Sequence, residues 1–271
     1  MKKLISIASI GVFAFTALLL VRCEEMAGGA PTNVKLEAAT DVTVKITWSA
    51  PTEGTPDKYV VSFMETGTSS YTELGDVTTT EYTHDPDGKT GTYKVTAKFG
   101  SDEYDAATTP TTKPVYSSVM AVSELNAAGD AGYGWNTDGT AATYSMTVAG
   151  NAASVDLYIT DWATGYTGEY SIASPDMAED DGGNVGVVPQ GAWRVNGFTA
   201  GLTDPNAPLP PHSTSTYFNF QEIVTQPFLT GCYTQDGYYA LVKVVSYNVG
   251  SGTAQVESWF QLVEGLRLIQ H

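Results

Sequence analysis

The densest cluster of reactive side chains is Asp176-Met177-Ala178-Glu179-Asp180-Asp181-Gly182-Gly183-Asn184. Carboxylates set among glycines are hard oxygen ligands on a pliable loop, so Asp176, Glu179, Asp180 and Asp181 are the candidate Ca²⁺ ligands. The stretch has no D-x-D-x-D-G spacing, and a solvated acidic loop is the favoured reading. The expectation is a protein with no cofactor, with calcium as the alternative. Glu179 and Asp181 have the composition of a glycosidase acid/base pair. With 30 Asp+Glu in the chain, however, such pairs arise readily by chance. No G-x-S-x-G, H-E-x-x-H, Walker loop or Rossmann fingerprint occurs. Only His84, His212 and His271 could serve a nucleophile as base. The expectation is therefore a protein that is not an enzyme, with a secreted hydrolase as the least favoured class.

Aromatic residues are the stronger lead. Trp135, Trp162, Tyr166, Trp193 and Tyr233 fall at or near loops in the second half of the chain. An exposed ring can stack on the face of a sugar, and a neighbouring Asn or Asp can bond its hydroxyls. These five are the candidate residues for binding a carbohydrate or small ligand. The competing reading is that each ring fills a core.

Thirteen Lys+Arg stand against 30 Asp+Glu in 271 residues, a formal net charge of −17. That balance argues against nucleic acid as a partner, because phosphates need a basic patch. Hydrophobic residues at 42% and aromatics at 11% supply a core. Two Cys and three His leave almost nothing for a zinc site or a disulfide scaffold.

The chain opens Met1-Lys2-Lys3, runs apolar from Leu4 to Val21, and continues Arg22-Cys23-Glu24-Glu25. A basic start before an apolar stretch is the pattern of an export signal. Leu20-Val21-Arg22-Cys23 resembles the lipobox of bacterial lipoproteins, with Arg22 where that family carries a small residue. The resemblance implies that Cys23 is acylated and becomes the new N-terminus, which makes the membrane a partner through a lipid anchor. Acidic residues straight after the Cys also look like the surface-export signal of Bacteroidetes-type lipoproteins. Export to the cell envelope, outer membrane or cell surface is the expected localisation. Ordinary secretion, with cleavage near Ala27-Gly28-Gly29, and an uncleaved anchor are the alternatives. Residues 1–22 carry three of the basic residues and no acidic ones, so cleavage leaves a chain that is more acidic still. With lipid on Cys23, Cys232 has no disulfide partner and reads as a small buried hydrophobe.

These residues are carried by strands. Val42, Val44, Ile46 and Trp48 alternate along Asp41–Trp48; Lys58–Phe63 and Thr92–Phe99 form further strands, with short ones at 71–74 and 78–82. Pro31, Ile46-Thr47-Trp48-Ser49-Ala50-Pro51, Lys58-Tyr59-Val60-Val61 and Tyr93-Lys94-Val95-Thr96-Ala97 resemble a fibronectin type III domain. That resemblance implies a seven-stranded sandwich with Trp48 in its core. It also implies that Tyr93 is a corner tyrosine whose hydroxyl bonds to backbone. Such domains act as spacers or interaction modules.

Thr108–Pro114 is rich in Pro and Thr and reads as an extended spacer. Beyond it, Ala142–Val148, Ser154–Trp162, Gly191–Phe198 and Ser215–Val224 read as strands. Tyr238–Tyr247 and Ala254–Leu268 read as a hairpin around Gly250-Ser251-Gly252. Val155-Asp156-Leu157-Tyr158 with Asp236-Gly237-Tyr238-Tyr239-Ala240-Leu241-Val242 looks like a β-domain of Bacteroidetes-type exported lipoproteins, a haem-binding group among them. It implies a β fold at the envelope and carries no haem ligand over to His212. The chain as a whole is expected to be all-β, a fibronectin type III-like sandwich followed by a second sandwich or open barrel. The expected order is a signal at 1–22, a tether at 23–30, the first domain at 31–107, a linker at 108–117 and a β-rich domain at 118–271. The expected role is non-catalytic interaction or scaffolding, with surface proteins or glycans as partners.

Overall fold

The structure, a computed structural model, describes residues 28–161, 170–178 and 191–271. The signal segment with Cys23, and Trp162, Tyr166, Glu179, Asp180 and Asp181, lie outside the described residues.

The first seven strands are β1 (Thr32–Ala38), β2 (Val44–Ser49), β3 (Lys58–Glu65), β4 (Thr72–Val77), β5 (Glu81–His84), β6 (Gly91–Phe99) and β7 (Asp102–Asp105). They form a three-stranded sheet, β1-β2-β5, and a four-stranded sheet, β4-β3-β6-β7. Every pairing in both sheets is antiparallel. Alternation along β2 turns Val44, Ile46 and Trp48 inward, where they meet Tyr59, Val61 and Phe63 of β3 and Tyr93, Val95 and Ala97 of β6. This is the fibronectin type III-like sandwich, with Trp48 in its core.

Tyr93 is fully buried in that core, but its hydroxyl does not bond to backbone. It shares a 2.9 Å hydrogen bond with His84 Nδ1. His84 is the last residue of β5, and its ring packs edge-on to Tyr93. Strand β5 therefore supplies a side-chain partner where the corner geometry would have used a carbonyl.

Burial holds the His84 pKa below its ordinary value, with Asp85 pulling the other way. Below about pH 6.5 the unfolded chain takes up a proton that the folded chain refuses. The stabilisation is thus present above that pH and lost as pH falls toward the folded value. The first sandwich should weaken between pH 6.5 and 5, before the carboxylates titrate, and His84→Gln should flatten that interval. Urea midpoints at the two pH values check this, and equal slopes for the two proteins would refute it.

The second unit comprises β8 (Val115–Ser123), β9 (Gly132–Trp135), β10 (Ala141–Tyr144), β11 (Leu157–Thr160), β12 (Ser171–Ala173), β13 (Gly197–Phe198), β14 (Phe220–Glu222), β15 (Phe228–Tyr233), β16 (Tyr239–Asn248) and β17 (Thr253–Phe260). Two five-stranded sheets result, β10-β9-β11-β12-β14 and β13-β15-β16-β17-β8. Tyr133, Trp135, Leu157, Ile159 and Ile172 of one sheet share a core with Val122, Phe228, Val242, Val244, Val256 and Phe260 of the other. The second unit is thus a sandwich, not an open barrel. Cys232 lies in this core with no exposure, and burial pushes its thiol pKa well up.

Two segments depart from the sequence reading. Within the expected linker, Tyr93 N–H donates to Pro110 O at 2.9 Å and Thr112 N–H to Gly91 O at 2.8 Å. The prolines leave residues 110–112 extended, and β6 takes up their backbone groups. The second departure is the tail. Strand β17 ends at Phe260 and does not run on to Leu268. Gln261 Nε2 donates to Thr112 O (2.8 Å) and Leu268 O (2.7 Å), which folds the chain back. Val263, Leu266 and Leu268 then enter the core of the first sandwich. Arg267 Nε meets Asp41 Oδ2 at 2.8 Å, and Thr90 N–H donates to Gln270 Oε1 at 2.8 Å. The two sandwiches are joined by this inserted tail as well as by the linker.

Candidate functional site

At one end of the second sandwich lies a cleft of about 730 Å³. Trp135, Phe260 and Tyr238 line it as a row of rings. Trp135 and Phe260 have centroids 5.1 Å apart at 31°, and Phe260 and Tyr238 are 5.5 Å apart at 31°. The rings are tilted to one another, with Trp135 and Phe260 9% and 7% exposed and Tyr238 half-buried, and together they give the cleft an aromatic wall. Tyr144 stands on the rim and donates to Asn136 Oδ1 at 3.3 Å.

Local sequence fixes each ring. Trp135 ends β9, and its indole Nε1 donates to Ser258 Oγ on β17 at 2.9 Å. The same Ser258 hydroxyl shares a 2.7 Å bond with Tyr133 OH. Between the two aromatics stands Gly134, where a Cβ would lie 1.9 Å from the Ser154 carbonyl oxygen. Only glycine admits that backbone contact. Tyr238 follows the turn Thr234-Gln235-Asp236-Gly237, which joins β15 to β16. Gly237 sits at φ +86°, and Tyr238 N–H donates to Thr234 Oγ1 at 3.1 Å. A left-handed glycine after such a turn restores the strand register.

A buried ion network forms the wall. Asp156, just before β11, is 3% exposed. Its Oδ1 accepts from Arg194 Nε (2.7 Å) and Asn196 Nδ2 (3.1 Å), and its Oδ2 accepts from Trp135 N–H (2.9 Å). Arg194 Nη2 donates to Asp236 Oδ2 at 2.5 Å. Asn196 Oδ1 accepts from Gln235 N–H at 2.7 Å. One network thus clamps the strand end at 135, the segment 194–196 and the turn at 234–237. Burial pushes the Asp156 carboxyl above the usual carboxylate range, against the pull of Arg194. Burial opposes charge on Arg194, but Asp156 and Asp236 together hold its guanidinium up.

With Arg194 committed to two carboxylates, and Glu264 also on the rim, the charge facing the cleft is negative. That arrangement favours neutral or cationic ligands and disfavours anions. Among the described lining residues there is no His or Cys. Each His has its own aromatic partner elsewhere: His84 with Tyr93, His212 stacked on Tyr233 at 3.9 Å, and His271 stacked on Trp259 at 4.0 Å.

The described aromatic candidates, Trp135, Trp193 and Tyr233, are not gathered in one place. Trp135 lines the cleft from a strand rather than a loop, and is only 9% exposed. Trp193 is buried among Leu125, Met146 and Tyr158 and presents no free face. Tyr233 closes β15 and lines a separate groove toward the first sandwich. Of the calcium candidates, Asp176 lies in a 3₁₀ turn at Pro175–Ala178, and its carboxylate accepts from Ser174 Oγ. Among the described residues no group of three His, Cys, Asp or Glu is placed to hold a metal.

Sequence reading missed Asp156, Arg194, Asp236, Tyr238 and Phe260 as site residues. One signal was present: Arg194 is the only Lys or Arg between residues 114 and 242. A solitary cation in a strongly acidic stretch marks a charge that must be paired.

No protein-family model matches the chain, and no curated protein does. Several solved structures are similar to part of it. A crystal structure of titin domains is 20% identical over 31% of this chain and 31% of that one, with a TM-score of 0.26. The chain thus spans about a third of that titin structure. The FN5 domain of Drosophila Lar is 19% identical over 31% of this chain and 96% of that one, also at 0.26. A human fourth FNIII domain is 20% identical over 31% and 73%, at the same TM-score.

Proposed function

We propose that the protein is a non-catalytic binding protein of the cell envelope, whose second sandwich takes a neutral carbohydrate over Trp135, Phe260 and Tyr238. The row of rings carries this reading. Sugar rings present flat C–H faces to aromatics and hydroxyls to the groups at the edge. Asp236, Asn136 and Glu264 line that edge. The clamped network holds the rings in place before ligand arrives, which lowers the ordering cost of binding. A fibronectin type III-like neighbour suits an interaction role.

Affinity electrophoresis through gels containing neutral polysaccharides tests the reading. The protein should be retarded by at least one of them, and Tyr238→Ala should weaken retardation about tenfold, the effect of losing roughly 1.4 kcal/mol of stacking. No retardation in any gel, or equal retardation of the variant, would sink it.

Export and the lipid anchor rest on Met1–Cys23. Cys23→Ser should move the protein from the membrane to the soluble fraction. Unchanged membrane retention would rule out lipid on Cys23 as the anchor.

A further inference from the structure

Beside the ring-lined cleft lies a second groove of about 630 Å³ at the boundary between the two sandwiches. Glu37 and Thr40 wall it from the first sandwich, and Tyr233 and Gly237 from the second. Both hollows are lined by Leu262 and Glu264, so they meet along one short ridge. The ridge is open to solvent: Leu262 is 43% exposed and Glu264 is exposed. Resting on the carbohydrate reading above, we propose that the two hollows form one trough, that the ligand is a chain of several sugar units, and that the first sandwich contributes directly to the site.

Three observations carry this. The first is continuity, since the same two side chains border both hollows. The second is chemistry. The groove repeats the character of the cleft, with a half-buried aromatic, Tyr233, whose ring is backed by His212 at 3.9 Å, and an exposed carboxylate, Glu37, as hydroxyl acceptor. The third is rigidity. Arg267 ties the two sandwiches, its Nε to Asp41 Oδ2 at 2.8 Å and its Nη1 to Leu209 O at 2.7 Å. Leu266 and Leu268 lie in the first sandwich's core. A ligand that spans the boundary meets walls already fixed in place, so each added sugar contributes contact without an ordering cost for the domains. A spacer domain would leave its neighbour's site unaffected by changes on its own surface, and this geometry predicts the reverse.

The test is calorimetric titration of the full chain with cello-, malto-, manno- and xylo-oligosaccharides of two and six units. For the series that binds, the hexasaccharide should bind at least tenfold tighter than the disaccharide. Glu37→Ala, an exposed position on β1, should cut that gain at least threefold while leaving disaccharide affinity and melting temperature unchanged. Equal affinity for both lengths would overturn the trough and leave the cleft reading standing. A length gain untouched by Glu37→Ala would likewise overturn the role of the first sandwich. No binding by any oligomer would overturn the carbohydrate reading and the trough together.

Discussion

Leu266→Ala should destabilise the first sandwich by about 2–5 kcal/mol, the cost of emptying a fully buried leucine site. Leu266 belongs to the C-terminal tail, yet it has 0% exposure in a core built from Val44, Ile46, Tyr59 and Val95. Leu268 shares that environment and should behave alike. Leu262, four residues earlier and 43% exposed, is the control, and its replacement by Ala should stay within about 0.5 kcal/mol. The measurement is urea unfolding followed by a probe in the first sandwich, such as the fluorescence of Trp48 in a variant whose other tryptophans are replaced by phenylalanine. A free-standing first domain would unfold at the same urea concentration with or without Leu266. In the structure the tail completes the core, so the two sandwiches should lose structure together.

The second large effect is expected at Asp156. Its carboxylate satisfies Arg194, Asn196 and the Trp135 N–H at once, from a nearly fully buried position. Asp156→Ala removes an acceptor from three donors and leaves the half-buried Arg194 charge with Asp236 as its one remaining carboxylate. Breaking a buried pair in this way costs about 3–5 kcal/mol. Arg194→Leu alone should be costly too, because it strands the Asp156 charge. Replacing both by leucine should cost clearly less than the two single changes added together, since no charge is then left alone. Denaturant titration of the four proteins gives the coupling. Strict additivity would mean that the pair does not act as a unit. The same variants should lower affinity in the cleft, because Asp156 holds the Trp135 backbone and Arg194 holds the turn that carries Tyr238.

How much of this could be read from sequence depends on the range of the interaction. Strand β2 was legible because Val44, Ile46 and Trp48 alternate with polar residues, and period-two patterning is local. Strand β16 was legible for a related reason, a run rich in β-branched and aromatic residues before a Gly-rich turn. Strand β9 was not. Gly132-Tyr133-Gly134-Trp135 reads as a loop, because glycine is a poor strand former. Its glycines answer instead to neighbours distant in sequence, such as the Ser154 carbonyl against Gly134. The strand reading of Ala254–Leu268 failed at Gln261 for the same reason. Val263, Leu266 and Leu268 look like a continuing apolar face, but the face they cover belongs to the other sandwich.

The site followed the same division. Trp135 could be singled out by residue type. Its association with Phe260 and Tyr238 could not, because the three rings come from β9, β17 and the turn that leads into β16. Trp193 illustrates the opposite case, an aromatic beside a loop that the fold buries completely enough to remove it from any surface.

The binding surface itself is tested most directly by nuclear magnetic resonance of the indole N–H groups. The Trp135 signal is assigned by its disappearance in Trp135→Phe, and the neutral oligosaccharide that binds best is then titrated in. The Trp135 indole should shift progressively and saturate with the same affinity that calorimetry reports, while the Trp48 indole, buried in the first sandwich, stays in place. A saturating ligand that leaves the Trp135 signal unmoved would contradict the assignment of the cleft.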